Sequence, residues 1–412
     1  MMPTKSLLRS TLFTSIMSSP LLNPCLAIIQ GLVNSKSALL NPGKNPAINY
    51  LLQKTVYNHF CAGATETEVK RTIQYMKKMG FTGVIMGPGR EVVLKMDESA
   101  PAESKESQKM ALLEAVEQWK GGLLDTLNML DEGDYLNVKY TGAGPIAVEA
   151  LSRGDATAPT VIQEAMREVC NMAVSRKARL WIDAEQQALQ PAIDAWTINL
   201  MREFNRNGVV VLNTIQAYLK ASADNVDHHL HLAQKEGWAL GIKLVRGAYI
   251  AHDMRERIHD TKADTDRNYN HIVKSLVTRQ SPIQDSAVNS NPFPTVRLFV
   301  ASHNAETVRK AYSLYKQRVL DNQPTIPIQF GQLQGMADDV SCELLAENKK
   351  ADKSGKWTAP GAFKCLCWGT TEECLHFLLR RAVENKGAVQ RTKDMAVALR
   401  REVWRRMRSV FV

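Results

Sequence analysis

From residue 80 onward, short runs rich in Val, Ile and aromatic residues alternate with longer stretches of helical periodicity, and the alternation repeats eight times. The runs read as strands are 81–86, 136–140, 179–183, 209–213, 239–245, 296–301, 327–333 and 363–368. Helical periodicity follows at 112–130, 161–176, 191–206, 226–236, 268–278, 307–319, 336–347 and 371–384. Eight such pairs predict an α/β chain whose parallel sheet closes into a (β/α)8 barrel, each crossover helix covering the outer face of the strands it joins. An open doubly wound sheet would carry a glycine-rich phosphate turn after its first strand. Gly87-Pro88-Gly89 and Gly142-Ala143-Gly144-Pro145 are strand-to-helix turns without the G-x-G-x-x-G spacing, and no Walker A pattern occurs. Two polar stretches, 95–107 and 281–294, interrupt the rhythm and are expected to be solvent-exposed insertions.

Composition agrees with a packed chain. Hydrophobic residues make up 44% of the 412 positions and charged residues 23%, which rules out disorder over the whole length. Seven cysteines (Cys25, Cys61, Cys170, Cys342, Cys365, Cys367, Cys374) are scattered and nowhere spaced C-x-x-C. That argues against a disulfide scaffold or zinc ribbon, and no bound metal is expected. No stretch approaches the ~18 uninterrupted apolar residues of a membrane-crossing helix.

The net charge of +10 is unevenly placed. Between Arg391 and Arg408 seven Lys and Arg stand against Asp394 and Glu402, so the tail carries 7 − 2 = +5. Val397, Val403, Trp404 and Met407 lie among these arginines, a pattern that suits either a helix resting on anionic lipid or one packed on the barrel. A nucleic-acid-binding protein would need aromatics interleaved with basic residues across a surface, or a known module, and neither occurs. At the other end the first acidic residue is Glu66, preceded by Lys5, Arg9, Lys36, Lys44 and Lys54 among many serines. Basic, Ser-rich and acid-free is the composition of a mitochondrial transit segment. The chain therefore divides into an N-terminal helical, targeting-like region (1–56), a barrel domain (57–390) and a basic C-terminal helix (391–412).

In such a barrel, chemistry belongs at the C-terminal ends of the strands. The sequence collects polar residues there: Lys139 on the second strand, Asp183 and Glu185 after the third, Gln216 after the fourth, Lys243 and Arg246 on the fifth, Ser302, His303 and Asn304 after the sixth, and Gln332 on the seventh. On the last barrel helix Arg380 and Arg381 stand side by side. Two guanidinium forks can clamp one carboxylate there, with Glu384 three and four residues on to hold them; a solvated Arg-Arg-x-x-Glu face is the alternative. Asp227-His228-His229-Leu230-His231 is read as a solvated helix surface rather than a metal site. Cys365 and Cys367 alternate on a strand, so both face one side and are expected to pack.

The ordered runs Leu180-Trp181-Ile182-Asp183-Ala184-Glu185, Thr214-Ile215-Gln216-Ala217-Tyr218, Lys243-Leu244-Val245-Arg246-Gly247-Ala248-Tyr249, Ala301-Ser302-His303-Asn304, Phe330-Gly331-Gln332-Leu333-Gln334-Gly335 and Leu379-Arg380-Arg381-Ala382-Val383-Glu384-Asn385 together resemble the proline dehydrogenase (proline oxidase) family in its eukaryotic mitochondrial form. Cys61-Ala62-Gly63 matches as well, and the resemblance runs from about residue 57 to 385. It implies a distorted (β/α)8 barrel that holds FAD, oxidises L-proline to Δ1-pyrroline-5-carboxylate and passes electrons to membrane ubiquinone at the matrix side of the inner mitochondrial membrane.

The resemblance also implies roles. Arg380 and Arg381 would bind the proline carboxylate, Lys139 would pair with Asp183, and Asp183 would orient the substrate. Leu333 and Tyr249 would wall the ring. Gln216 would meet the flavin pyrimidine edge, and Lys243 and Arg246 would supply positive charge to the reduced flavin. Gly247 and Ala248 would allow close backbone approach, while Lys262, Ser302, His303 and Asn304 would hold the ribityl, phosphate or adenine parts. Cys365 departs from the family's usual tyrosine and Phe377 from another, and Lys243 replaces an arginine common in bacteria. The smaller Cys365 wall makes trans-4-hydroxy-L-proline an alternative substrate.

Overall fold

The computed structural model describes residues 3–89, 105–290, 292–384 and 389–408; most of the first polar stretch, expected at 95–107, lies outside them. The chain opens with α1 (Thr4–Met17), α2 (Leu22–Val33) and α3 (Pro46–Leu52), then passes through a π-helical turn, Gln53–Tyr57, into the short α4 (Asn58–Phe60) and α5 (Glu66–Lys78). Asn45 caps α3, with Pro46 at its first position, and Thr65 with Glu68 forms a capping box on α5. The barrel follows: β1 (Gly83–Pro88), α6 (Lys105–Met129), β2 (Tyr135–Val138), α7 (Pro145–Arg153), α8 (Thr160–Ser175), β3 (Arg179–Ile182), α9 (Gln190–Phe204), β4 (Val211–Gln216) and α10 (Ser222–Glu236). It continues through β5 (Leu240–Val245), α11 (Lys262–Val277), β6 (Val296–Ala301), α12 (Ala305–Leu320), β7 (Ile328–Leu333), α13 (Asp338–Ser354), β8 (Gly361–Trp368) and α14 (Thr371–Glu384), and α15 (Val389–Arg408) ends it.

The eight strands pair in sequence order, all parallel, and β1 closes on β8 with Ile85 opposite Cys365. The expected closed (β/α)8 barrel is therefore the fold. Strand alternation sorts side chains between two cores. Leu180 and Ile182 of β3 face the helices, whereas Trp181 between them points inward with Ile85, Tyr135, Leu212, Phe299 and Phe363. The Tyr135 ring lies 5.3 to 5.4 Å from Trp181, Phe299 and Phe363, and its hydroxyl meets Gln329, so this layer is filled solid. Open space lies above it, toward the strand C-termini.

Two expectations are corrected and one is qualified. β2 ends at Val138, not Tyr140, because Thr141 turns to bond the Glu185 carboxylate and pulls the chain into a 3-10 turn; Lys139 sits just past the strand. The stretch 281–294 is exposed along much of its described length, as expected, but it is tied down rather than free. Ser281 Oγ donates to Asp227 at 2.5 Å, Val288 is buried, and Gln234 holds the Pro292 carbonyl. In the histidine run, His228 and His231 are exposed but His229 is buried, bonded to Asn213 and to the Asn225 carbonyl, so it is a packing residue.

The two ends of the chain meet. Leu7 of α1 packs against Met395 and Leu399 of α15, and Arg400 reaches Ser15. Deeper, Ser10 donates to buried Asp338, which receives the Lys364 ammonium at 2.9 Å. Among the described residues no single helix is long and apolar enough to cross a membrane; α1 and α2 pass that test only as a pair bent by 100°.

Candidate active site

A cavity of about 270 Å³ opens at the C-terminal end of the barrel. It gathers Lys139, Asp183, Gln216, Lys243, Arg246, Gly247, Ala248, Tyr249, Ser302, His303, Leu333 and Cys365, all residues singled out above. Period-two alternation explains why: Asp183 shares the inward side with Trp181, and Gln216 with Thr214.

Two charged arrangements organise the lining. Lys243 reaches across the end of β4, donates to Asp183 Oδ1 at 2.6 Å and lies 4.3 Å over the Trp181 ring. Asn137 approaches the other Asp183 oxygen at 3.4 Å. Arg246 is held on all sides: Nε to Asp266 at 2.7 Å, one terminal nitrogen to Ser302 at 2.8 Å, the other to Thr307 at 2.9 Å, and the guanidinium 4.6 Å over Tyr269. Burial opposes ionisation of Asp266, but hydrogen bonds from Lys262 and Arg246 outweigh it and hold that carboxyl below its ordinary value.

The remaining positions are set by backbone. Gln216 donates to the Glu185 carbonyl at 3.1 Å. Burial pushes the Glu185 carboxyl up, against the pull of Thr141 and Lys139. Gly247, at φ +145, lies so close to the Tyr218 ring that a Cβ would come within 2.4 Å of it, so glycine is required there. Leu333 and Cys365 are register partners on β7 and β8, side by side in the wall, and the Leu333 N–H donates to His303 Nε2 at 3.1 Å.

Other expected site residues lie elsewhere. The Asn304 side chain caps α12 by accepting from Thr307, and Lys262 is exposed and bonds Asp266; neither lines the cavity. Arg380 is on α14, outside the lining. Arg381 and Glu384 share that helix, and their side chains lie outside what the structure describes. Sequence reasoning gave no role to Trp181 and Thr214, although their i, i+2 relation to Asp183 and Gln216 marks them.

The lining suits a flavin. Within it Lys139, Lys243 and Arg246 outnumber Asp183, which favours an electron-rich, anionic group. Thr214 Oγ1 and Trp181 Nε1 are buried without partners among the described residues, polar atoms that a hydrogen-bonding ring system would satisfy.

A sequence model of the proline dehydrogenase family matches residues 69–394. This chain belongs to that family. Its members are oxidoreductases and, in general, flavoenzymes. The chain is 28% identical over 408 residues to a probable mitochondrial proline dehydrogenase of Schizosaccharomyces pombe, covering 88% of this chain and 81% of that one. It is 26% identical over 404 residues to a hydroxyproline dehydrogenase of Rattus norvegicus, covering 87% and 83%. Against the mitochondrial proline dehydrogenases of Caenorhabditis elegans and Bos taurus it spans only 45% and 53% of the relative's length. Among solved structures, proline utilization A of Bdellovibrio bacteriovorus superposes with a TM-score of 0.65 at 17% identity, over 90% of this chain and 38% of that one; the likeness is one of fold.

Proposed function

We propose that this chain catalyses the FAD-dependent oxidation of L-proline to Δ1-pyrroline-5-carboxylate, with electrons passed on to ubiquinone at the matrix side of the inner mitochondrial membrane. The observation that carries the reading is the Asp183–Lys243 pair at the mouth of a closed barrel, within the family match and beside Lys139, Gln216 and Arg246. When bound, FAD supplies the two-electron acceptor for the hydride from the proline ring. The chain's own residues supply the rest. Gln216, Lys243, Arg246 and the backbone at Gly247 and Ala248 would hold the cofactor, with Ser302 and His303 beside them.

Asp183 is fixed by Lys243 and acts on substrate orientation, since a carboxylate so paired is a poor proton acceptor; the amine proton leaves to water. Lys139 offers a cation to the carboxylate, and Arg380 and Arg381 complete the clamp from α14. Leu333, Tyr249 and Cys365 exclude water from the ring.

The test is anaerobic addition of L-proline to the FAD-loaded protein while following oxidised flavin absorbance at about 450 nm. Bleaching is expected; an unchanged spectrum in a protein that holds FAD would sink the assignment. A second reading, trans-4-hydroxy-L-proline as substrate, is favoured by one observation. Cys365 and Leu333 form the wall together, and the thiol leaves room for a ring substituent.

A further inference from the structure

Cys61, Cys367 and Cys374 are remote in sequence but meet beside the C-terminal end of β8. Cys61, just after α4, pairs with Cys367 as an isolated parallel bridge, and the Ala62 N–H donates to the Cys367 carbonyl at 2.8 Å. Cys374 sits on the first turn of α14. The three sulfurs lie within 4.8 Å of one another, with Cys367 to Cys61 at 3.6 Å. All three residues are buried, at 6%, 4% and 0% exposure. Tyr57, Phe60, Phe377 and Leu378 enclose them, and among the described residues no carboxylate or imidazole joins the group. None of these thiols lines the catalytic cavity; Cys365, two residues before Cys367, does.

We propose that this cluster binds one thiophilic d10 cation as a three-coordinate thiolate centre. Metal–sulfur bonds of about 2.3 Å set ~120° apart place the sulfurs ~4.0 Å from one another. That value lies between the 3.6 Å separation and the 4.8 Å limit found here, so an ion enters with small rotamer adjustments. A sulfur-only donor set selects Zn(II) or Cu(I) over Mg(II), Ca(II) or Mn(II). Binding breaks three S–H bonds, forms three metal–sulfur bonds and releases three protons to solvent, with no electron transferred. A divalent ion leaves one residual negative charge and a monovalent ion two. The apolar shell penalises the larger charge.

The thiols are already differentiated. Hydrogen bonds from Cys367 and Cys61 hold Cys374 down at about 5, while burial pushes Cys61 up, and its hydrogen bond to Cys374 raises Cys367. The centre would tie the segment before β1 to β8 and to the start of α14.

The test is anaerobic titration of the reduced, metal-free full-length chain with Cd²⁺, whose thiolate complexes absorb in the ultraviolet. A band saturating at one equivalent is expected. It should be lost in Cys374→Ser and in Cys61→Ser/Cys367→Ser, and kept in Cys25→Ser/Cys342→Ser/Cys365→Ser, which removes the three partly exposed thiols. Circular dichroism identifies any variant that fails to fold, and a melting temperature raised by Cd²⁺ in the parent but not in folded Cys374→Ser is a second expected result. Displacement by Zn²⁺ or by Cu⁺ then assigns the natural ion. A folded parent without the band, or a band that survives loss of Cys61, Cys367 and Cys374 together, would overturn the site.

Discussion

Asp183 meets Lys243 because strands β3 and β5 flank β4, so a lysine of β5 with its four-carbon stem spans the gap over the Trp181 ring. Asp183→Asn keeps the shape but loses the charge that fixes Lys243. kcat/KM for proline is expected to fall by about 100-fold with FAD retained. Lys243→Met removes one ammonium from the Asp183 carboxylate, and a loss of about 1 kcal/mol in urea unfolding is expected beside the loss of activity. Cys365→Tyr fills the wall beside Leu333. The ratio of kcat/KM for proline to that for trans-4-hydroxy-L-proline should rise; no change in that ratio would remove Cys365 from substrate choice. At this scale the cavity was largely legible, since residues at strand ends are forced together by barrel closure. The cysteine cluster was not: positions 61, 367 and 374 share no spacing, and only the closure of β1 on β8 brings the segment before β1 against β8 and α14.

At the scale of elements, periodicity located each barrel strand and the helix that follows it, because apolar alternation records which face is buried. It passed over α7, a helix that starts at Pro145, the last residue of the turn read at 142–145. It also gave no hint that α1 is anchored to the barrel through polar contacts. His59, stacked on Phe13 of α1 at 4.6 Å, is 5% exposed, and its Nε2 has no partner among the described residues. Burial lowers it from 6.5 to about 4, with Arg9 and Lys364 adding and Asp338 opposing. Between those values the unfolded chain binds the proton that the folded chain refuses. This contribution is therefore complete above pH 6.5 and falls by about 3 kcal/mol as the pH drops to about 4. Asp338 acts in the same sense. Despite burial, Lys364 and Ser10 hold its carboxyl below its ordinary value, so its stabilisation is lost as pH falls through that lowered value. Urea unfolding at pH 7 and pH 5 should show the parent weakening and His59→Phe weakening less; equal losses would remove His59 as the cause.

At the scale of the whole molecule, the helices at the two ends of the barrel domain carry exposed basic and apolar side chains. The inner face of α15 packs on α1, which leaves Val397, Arg401, Trp404 and Arg408 on its outer face at helical spacing, with Trp404 62% exposed. Beside it α1 exposes Leu8 and Leu12 at 53% and 60%, and α2 exposes Ile28. Neither α1 nor α2 contains an acidic residue. An apolar strip flanked by arginines is what an interfacial helix presents to anionic lipid. The proposed transfer of electrons to a membrane quinone would gain from such contact, because that acceptor is confined to two dimensions. The full chain is expected to co-sediment with vesicles containing anionic phospholipid and not with neutral ones, and to be released as ionic strength rises. Each of Arg401→Glu and Arg408→Glu removes about 1 kcal/mol or more of attraction, at least a fivefold weaker partition per site. Trp404→Ser should weaken binding to the same vesicles without altering its salt dependence. Both effects should leave proline oxidation with a soluble acceptor unchanged, since none of these three residues lines the cavity. Binding to neutral vesicles, or full retention by Arg401→Glu/Arg408→Glu, would show that the tail helix serves only to pack against α1.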